Sequence, residues 1–223
     1  MVGDNFLVRG HENGRHFATR EKFYPTLFVD SKKKTKYKTL NGDYVEAIEP
    51  GTVRESRDFI KKYRDIENFN IYGNERFIYQ YISEKYPEDE IRFDVKQIKI
   101  TTIDIEVKSE NGFPDPEAAA EEILLISIQD YTSKQIRTWG LGPFNNKQDN
   151  VIYKSFRTEY ELLSDFINWW MIEDNTPEVI TGWNSKFYDI PYLTRRIDRI
   201  LGEKLKKRMS PWGLVTECET YIA

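Results

Sequence analysis

The sequence predicts an α/β protein, α+β overall, in which a small β-rich domain at residues 1–97 precedes a mixed-sheet domain at residues 98–223. Two Asn-Gly turns within residues 1–50 favour β-hairpins there. Strand-like and helix-like hydrophobic periods then alternate along the second part, which is typical of an α/β arrangement. The two parts also differ in charge. Residues 1–97 contain 18 Lys and Arg against 17 Asp and Glu, whereas residues 98–223 contain 15 against 20.

The composition is that of a folded chain that can bury a sizeable core. Among its 223 residues, 39% are hydrophobic and 14% aromatic, and the mean hydropathy is −0.67. These values exclude collagen-like and low-complexity chains and disfavour disorder. No apolar run approaches the ~20 residues of a membrane span. The first residues lack the pattern of a secretory signal. We therefore expect no membrane partner.

Cysteine and histidine are too few for a thiol or imidazole metal site. The sole cysteine, Cys218, excludes an internal disulfide framework. With His11 and His16 as the only histidines, a structural zinc site is not expected. A metal bound by this chain would therefore have carboxylate ligands.

In the first part, hairpins are predicted around Asn13-Gly14 and Asn41-Gly42. A capping box at Thr52 begins a helix. A second helix is predicted at residues 75–85, and the acidic break at residues 86–90 is the candidate linker, with a boundary near residue 97. The second helix is expected to face inward through Phe77, Ile78, Tyr81 and Ile82.

In the second part, four strands are predicted before an amphipathic helix at residues 158–172, which begins with a capping box. A buried strand at residues 179–183 and a helix at residues 191–201 follow, and Gly202 ends that helix. The four strands are Ile98 to Val107, Ile123 to Ile128, Gln135 to Trp139 and a short one at Val151 to Tyr153.

Two basic runs carry open interpretations. The lysines of residues 32–38 indicate an exposed loop, with a phosphate contact as the alternative. Residues 195–208 hold seven basic side chains against Asp198 and Glu203. That run indicates a solvated helix face, with a phosphate-handling edge beside an acidic site as the alternative.

Two carboxylates stand side by side in the strand at residues 98–107. Alternation places Asp104 and Glu106 on one face, roughly 7 Å apart. Two buried carboxylates that close repel unless a cation or a proton intervenes. Hard divalent ions prefer oxygen ligands, and two of them can clamp a phosphodiester. Asp-x-Glu occurs three times in the chain, and only this copy lies in an alternating strand. The alternative is a solvated strand end.

A second constellation follows the buried strand at residues 179–183. There a polar loop starts the last helix, and Asp189 stands two residues before Pro191. This position suits a helix N-cap. It also brings a carboxylate near the end of a strand that can pair beside the strand at residues 98–107, so Asp189 is a candidate site residue as well.

Together these segments resemble the N-terminal portion of family B DNA polymerases, closest to the T-even phage type. Asp104-Ile105-Glu106 matches the first exonuclease motif of that family. Gly182-Trp183-Asn184 with Tyr188-Asp189-Ile190-Pro191-Tyr192 matches the second. Gly112-Phe113-Pro114 looks like a hairpin of the phage branch. The N-terminal domain of the family is matched by Tyr24 to Phe28 and by Asn70 to Gly73.

The resemblance implies a 3′→5′ proofreading exonuclease of RNase H-like fold. Asp104, Glu106 and Asp189 would be the catalytic, metal-holding carboxylates for two divalent ions, Mg²⁺ or Mn²⁺. The partners implied are the single-stranded 3′ end of DNA and a primer-template. A polymerase fragment would act in the cytoplasm, in the host cytoplasm if the source is viral. Phe113 would stack on bases, the alternative being a packed loop aromatic. Asn184 would bond the strand or a metal-bound water, and Trp183 is expected in the core.

The chain also departs from the family pattern. The third exonuclease motif, Tyr-x-x-x-Asp, does not occur after Asp189, since Asp198 follows Thr194 by four residues. The palm motifs of the polymerase site are absent too. We therefore expect a fragment, or one part of a split enzyme completed by a C-terminal polymerase segment, with little or no activity alone. The competing hypotheses are a single-stranded nucleic-acid binding module and a nuclease subunit completed by a partner chain.

Overall fold

The computed structural model describes residues 4–12, 15–87, 94–110 and 112–216. These residues form two compact units, one from residues 4–10 and 18–87 and the other from residues 11–12, 15–17, 94–110 and 112–216. The predicted linker lies largely outside the described residues. Within the described ranges, no helix combines the length and the apolar character needed to cross a membrane.

The first part of the chain is built mainly from short strands. The predicted hairpins are present, although the turn at Asn13 and Gly14 lies outside the described residues. The second hairpin closes through a hydrogen bond from the Gly42 N–H to the Thr39 carbonyl oxygen, 3.0 Å long. The elements are β1 (Asn5–Glu12), β2 (Arg15–Lys22), β3 (Leu27–Asp30), β4 (Tyr37–Lys38), β5 (Tyr44–Ile48), α1 (Val53–Tyr63), β6 (Ile71–Tyr72) and α2 (Phe77–Lys85).

These strands form two sheets. β1 and β2 form a two-stranded sheet, and a four-stranded antiparallel sheet has the order β4-β5-β3-β6. The predicted capping box at Thr52 is present, since its Oγ1 accepts from the Glu55 N–H and the Glu55 carboxylate accepts from the Thr52 N–H. The inward face predicted for α2 is wrong at Ile78, which is exposed, because α2 buries only the stripe through Phe77 and Tyr81.

The second part contains a mixed five-stranded sheet and helices that cover it. The elements of this part are β7 (Ile100–Val107), β8 (Ile123–Asp130), β9 (Ile136–Leu141), β10 (Val151–Phe156), α3 (Glu159–Trp170), β11 (Val179–Thr181), α4 (Asp189–Leu201) and α5 (Glu203–Lys206). The strands lie in the order β10-β9-β8-β7-β11. β7 pairs antiparallel with β8 and parallel with β11, so it has a neighbour on each side.

The core of this unit lies between one face of the sheet and the two long helices. Thr158 begins α3 with the predicted capping box, which satisfies backbone groups at the helix start. The apolar side chains predicted for α3 are all buried, and they pack against Trp139 from β9 and Leu193 from α4. The buried stripe of α3 consists of Leu162, Leu163, Phe166, Ile167 and Trp170.

The strand predicted at residues 179–183 differs from the observed one. β11 covers only three residues and lies at the edge of the sheet, with Val179 and Ile180 exposed rather than buried. The β-branched residues there satisfy the backbone preference of a strand. The prediction that this strand is buried is therefore wrong. Apolar runs of this length occur in edge strands as well as in central ones, so the sequence does not distinguish the two.

A buried ion pair connects α4 to α3 and to the start of β8. The Arg196 guanidinium donates to both Glu159 carboxylate oxygens, at 2.7 and 2.6 Å, and also to the carbonyl oxygens of Ala119 and Ala120. Glu159 Oε1 additionally accepts from the Ile123 N–H at 2.8 Å. The solvated face predicted for residues 195–208 is therefore wrong at Arg196, whose donors are used inside the unit.

Replacing Arg196 with Met is expected to lower the free energy of unfolding by about 3–5 kcal/mol, because Glu159 would keep a buried, uncompensated charge. Urea unfolding followed by tryptophan fluorescence measures the change. The control is Lys207→Met, which removes the exposed pair with Glu203 and should change stability far less. Equal losses in the two variants would contradict a stabilising role for the buried pair.

Candidate functional site

All five site residues predicted from the sequence line one cleft of about 550 Å³ in the second unit. Asp104 and Glu106 come from β7, Asn184 and Asp189 from the loop and helix after β11, and Phe113 from the loop after β7. The remaining lining residues are Ile105, Val107, Ser109, Pro114, Trp183 and Tyr188. The cleft therefore combines carboxylates with aromatic side chains.

The two β7 carboxylates lie on the side of the sheet opposite the helical core. Ile103 and Ile105 are buried against the helices, whereas Asp104 and Glu106 are exposed. The alternation predicted for this strand is thus present, and both carboxylates are exposed to solvent. The β7–β8 register shifts between Glu106 and Val107. Such an irregularity re-aims side chains and here marks the carboxylate end of the strand.

Asp189 is fixed to β7 by a backbone hydrogen bond. Its Oδ1 accepts from the Ile105 N–H at 3.0 Å. β11 pairs with β7 only as far as Thr102, so the side chain of Asp189 supplies an acceptor beyond the point where the neighbouring strand stops. Asp189 is itself the first residue of α4, and Tyr188 occupies the cap position. The predicted N-cap role of Asp189 is therefore wrong, because α4 begins at Asp189 itself and its carboxylate accepts from the Ile105 N–H of β7 and from its own N–H.

The electrostatics of Asp189 reflect burial beside another carboxylate. Only 4% of Asp189 is exposed, and this burial raises the pKa of its carboxyl above the ordinary value. The hydrogen bonds from the Ile105 N–H and from its own N–H oppose that rise, whereas the negative charge of Asp104 adds to it. Asp104 and Asp189 thus repel each other across the cleft, and a cation between them would relieve that repulsion.

The loop before α4 approaches β7 too closely for any side chain at Gly182. A Cβ at that position would lie 2.5 Å from the Ile103 carbonyl oxygen and 2.9 Å from Ser185 Cβ. Asn184 then turns the chain with a φ of 54°, in the left-handed region that Asn tolerates better than most residues. This geometry explains why the motif needs glycine at its first position.

Trp183 does not lie in the core, contrary to the sequence prediction. Its indole is 95% exposed and lines the cleft. The prediction fails because the two neighbouring positions determine the path of the loop. Gly182 is pressed against β7 and Asn184 turns the chain, so the side chain between them points away from the helical core.

Aromatic rings form one wall of the cleft. Phe113 is 82% exposed, and its ring centroid lies 4.8 Å from that of Tyr188, which lies 5.7 Å from Tyr192. Burial and the nearby charge of Asp189 raise the pKa of Tyr188, with smaller effects from Glu121 and Glu106. Sequence reasoning missed Tyr188 as a site residue. Its position directly before Asp189 is the signal that would have identified it.

The three carboxylates of the cleft are the kind of ligand that a hard divalent cation prefers. Asp104, Glu106 and Asp189 offer only carboxylate oxygens, which Mg²⁺ and Mn²⁺ prefer, and the repulsion at Asp189 favours a bound positive charge. In the part of the chain that the structure describes, no group of three or more His, Cys, Asp or Glu side chains converges as a metal site. The residues are thus suited to a cation without being gathered around one.

Comparison with known proteins identifies what this unit resembles. The sequence model of the exonuclease domain of DNA polymerase family B matches residues 60–220. The chain is 32% identical to the DNA-directed DNA polymerase of Enterobacteria phage T4, over 96% of this chain and 26% of the phage protein. It is 30% identical to the DNA-directed DNA polymerase of Escherichia phage RB69, over 95% and 26% of the two chains.

The similarity extends beyond the phage proteins. The DNA polymerase of Archaeoglobus fulgidus is 24% identical over 84% of this chain and 24% of its own length. The chain spans about a quarter of the length of the phage relatives. The family match and the mixed sheet confirm the fold expected from the sequence, an exonuclease domain of RNase H-like type preceded by β-rich segments.

Gly182→Ala is expected to destabilise the second unit by about 1–3 kcal/mol, because the added Cβ would overlap the Ile103 carbonyl oxygen. Thermal unfolding followed by circular dichroism measures this effect. In the double variant Gly182→Ala/Ser185→Gly, only the overlap with the Ser185 side chain is removed. Full recovery of stability in that double variant would show that the overlap with the Ile103 carbonyl oxygen is not the cause of the loss.

Asp189→Asn is expected to make stability less dependent on pH. The pKa of Asp189 is raised in the folded state, so unfolding releases a proton between the ordinary and the raised pKa. The stabilising contribution of Asp189 is therefore full below the ordinary value of 3.8 and is lost as pH rises through the folded pKa. Chemical unfolding of both proteins in EDTA, from about pH 4 to about pH 7, measures this. If the free energies of unfolding of the two proteins differed by the same amount at every pH, the raised pKa of Asp189 would be contradicted.

Proposed function

This chain belongs to the family B DNA polymerases, through their exonuclease domain, and from that premise we propose that the cleft is a 3′→5′ proofreading site for single-stranded DNA. The observation that carries the proposal is the meeting of Asp104, Glu106 and Asp189 with exposed aromatic rings in one cleft. Carboxylates suit metal-assisted cleavage of a phosphodiester, and aromatic faces suit unpaired bases.

In this proposal the three carboxylates would hold two divalent ions, Mg²⁺ or Mn²⁺. When bound, such ions activate a water and stabilise the leaving 3′ oxygen of the penultimate nucleotide. Asp104 and Glu106 project from β7, a strand paired on both sides, so their spacing is set by the strand. Asp189 is held against the same strand by the hydrogen bond from the Ile105 N–H to its Oδ1.

The aromatic wall would hold the 3′ end of the strand. Phe113 and Tyr188 contact each other and present adjoining ring surfaces on which a base could stack, and stacking tolerates every base, as proofreading requires. Asn184, at the turn of the loop, would bond the strand or a metal-bound water. Its neighbour Trp183 lines the same cleft and extends the aromatic surface.

For these 223 residues alone we propose little or no exonuclease activity. The family's third motif, Tyr-x-x-x-Asp, does not occur after Asp189. The lack of a convergent metal group among the described side chains agrees with an incomplete ligand set. The partners would then be the 3′ end of single-stranded DNA, a primer-template and the C-terminal polymerase segment, in the same gene or as a split chain. A cytoplasmic location is part of the same proposal.

One observation also favours a second candidate, a module that binds single-stranded nucleic acid without cutting it. The cleft has a developed aromatic wall, whereas its carboxylates do not converge in the described structure. The two candidates differ in one measurable property, the dependence of metal binding on Asp104.

Asp104→Asn is expected to abolish binding of Mn²⁺ by the chain, because the ion would lose a charged ligand. Electron paramagnetic resonance of free Mn²⁺ measures this binding. Asp65→Asn is the matched control, since Asp65-Ile66-Glu67 repeats the same tripeptide outside the cleft. A 5′-labelled single-stranded oligonucleotide, incubated with Mg²⁺, Mn²⁺ or EDTA, reports digestion from the 3′ end, which should be slow or absent.

Each outcome bears on a different part of the proposal. Mn²⁺ binding that is equal in the wild type and in Asp104→Asn, or absent in both, would contradict the metal site and favour the binding module. Rapid metal-dependent trimming by the wild type would contradict only the proposed need for another carboxylate.

Phe113→Ala is expected to weaken binding of a single-stranded 3′ end by about 1–3 kcal/mol, because it removes one stacking surface. Fluorescence anisotropy of an oligonucleotide labelled at its 5′ end, in EDTA, measures the change. Phe144→Ala is the control, since Phe144 is also exposed and also contacts a tyrosine, but lies outside the cleft. Equal losses in both variants would show that Phe113 has no particular role.

A further inference from the structure

The only two histidines of the chain, His11 and His16, lie side by side where β1 ends and β2 begins. Their Nε2 atoms are 2.8 Å apart, and their ring centroids are 3.7 Å apart. The two strands pair with each other, and cross-strand neighbours on one face of a sheet bring their side chains together. Both histidines belong to the second unit, and neither lines the cleft described above.

Two kinds of interaction explain so short a distance between imidazole nitrogens. A neutral imidazole has one N–H and one lone pair, so one Nε2 either donates to the other or shares a bound ion with it. Two nitrogens that bind one Zn²⁺ tetrahedrally, each at about 2.0–2.1 Å, lie about 3.3 Å apart. The observed separation is about 0.5 Å shorter than this, and a small rotation of the exposed His11 ring supplies the difference.

Two carboxylates lie around the His16 ring. Asp174 Oδ1 is 3.7 Å from His16 Nε2, and Glu178 Oε1 is 3.8 Å from His16 Nδ1. Glu178 is itself held in place, because its Oε2 accepts from the Lys99 N–H at 2.7 Å. When Nε2 binds an ion, the ring hydrogen lies on Nδ1, and in His16 that atom faces Glu178. A carboxylate in this position orients a metal-binding histidine and makes it a stronger ligand.

The chemistry of the pair differs from that of the cleft. Imidazole nitrogen suits Zn²⁺, Ni²⁺ and Cu²⁺, whereas Mg²⁺ and Mn²⁺ prefer the oxygen ligands that the cleft offers. Among the side chains that the structure describes, no third ligand converges with the two rings, so water would complete the coordination. The negative charges of Asp174 and Glu178 favour a cation beside His16.

We propose that His11 and His16 form a second metal site, which binds a borderline divalent ion such as Zn²⁺ through their Nε2 atoms. Glu178 is the positioning residue of this site, because it holds the His16 ring. The ion would tie the end of the hairpin to the segment just before β11. This proposal departs from the sequence expectation of carboxylate ligands, which rested on the number of histidines and not on their placement. It is independent of the function proposed for the cleft.

The test uses the whole chain in excess Mg²⁺, which occupies sites built from oxygen ligands. One equivalent of Zn²⁺ should shift the imidazole C–H signals of both histidines together in proton NMR. Competition with a chromophoric chelator measures the affinity for Zn²⁺. His11→Gln and His16→Gln should each weaken binding by more than the about 10- to 100-fold that loss of an outer partner costs. His11 is exposed, so its variant is expected to fold normally.

The role of Glu178 is tested separately from that of the ligands. Glu178→Gln should weaken Zn²⁺ binding about 10- to 100-fold, while it keeps an acceptor for the Lys99 N–H. The matched control is Asp149→Asn, which removes one negative charge from an exposed position of the same unit, outside the group around His16. Asp104→Asn should leave the affinity for Zn²⁺ unchanged, because Asp104 belongs to the cleft.

Three results would overturn this inference. If Zn²⁺ left both histidine signals unchanged while the signals moved together with pH, the pair would be a hydrogen bond that shares a proton and not a metal site. If Zn²⁺ binding persisted in His16→Gln and was lost in Asp104→Asn, the ion would belong to the cleft. Equal losses in Glu178→Gln and Asp149→Asn would show that Glu178 acts only through its charge and does not position His16.

Discussion

The hydrogen bond between the Asp189 carboxylate and the Ile105 N–H is the constraint on which the site depends. It joins the first residue of α4 to the strand that carries Asp104 and Glu106. β11 ends before this position, and the Asp189 side chain provides the acceptor that the neighbouring strand does not. The same bond therefore completes the backbone of β7 and sets the distance between carboxylates from distant parts of the sequence.

Two polar anchors hold α4 at separate points along its length. Asp189 fixes the first turn to β7, and Arg196, two turns later, is bound to Glu159 and to the chain before β8.

A third bond holds α4 between Asp189 and Arg196. The Tyr192 hydroxyl donates to the Glu121 carbonyl oxygen at 2.8 Å and accepts from the Glu121 N–H. Burial raises the pKa of Tyr192 to about 12, so its hydroxyl stays protonated and can serve as a donor. The helix is thus positioned by directional bonds as well as by apolar packing, and directional bonds leave less freedom in the angle of approach.

The sequence predicted the parts of this structure that depend on local chemistry. Both capping boxes, the alternation along β7 and the stripe of α3 follow from neighbouring residues, and all are present.

The wrong predictions concern which side chains are buried and which groups they bind. The apolar run at Val179 and Ile180 predicts a buried strand, but the pairing of the other strands places it at the edge of the sheet. The position of Asp189 predicts a helix cap, but its carboxylate instead accepts a hydrogen bond from a strand amide 84 residues away in the sequence. The five candidate site residues all line one cleft.

The edge position of β11 has a consequence for how this chain behaves in concentrated solution. In the described structure no strand lies beyond it, and its apolar side chains, Val179 and Ile180, are exposed. An uncovered edge with β-branched side chains is a template for pairing with a strand of another molecule. The pairing of only three residues limits that hazard, because a short edge offers few backbone hydrogen bonds. Self-association of the isolated chain would accordingly begin at this edge, and a charged residue in place of Val179, the more exposed of the two, would oppose it.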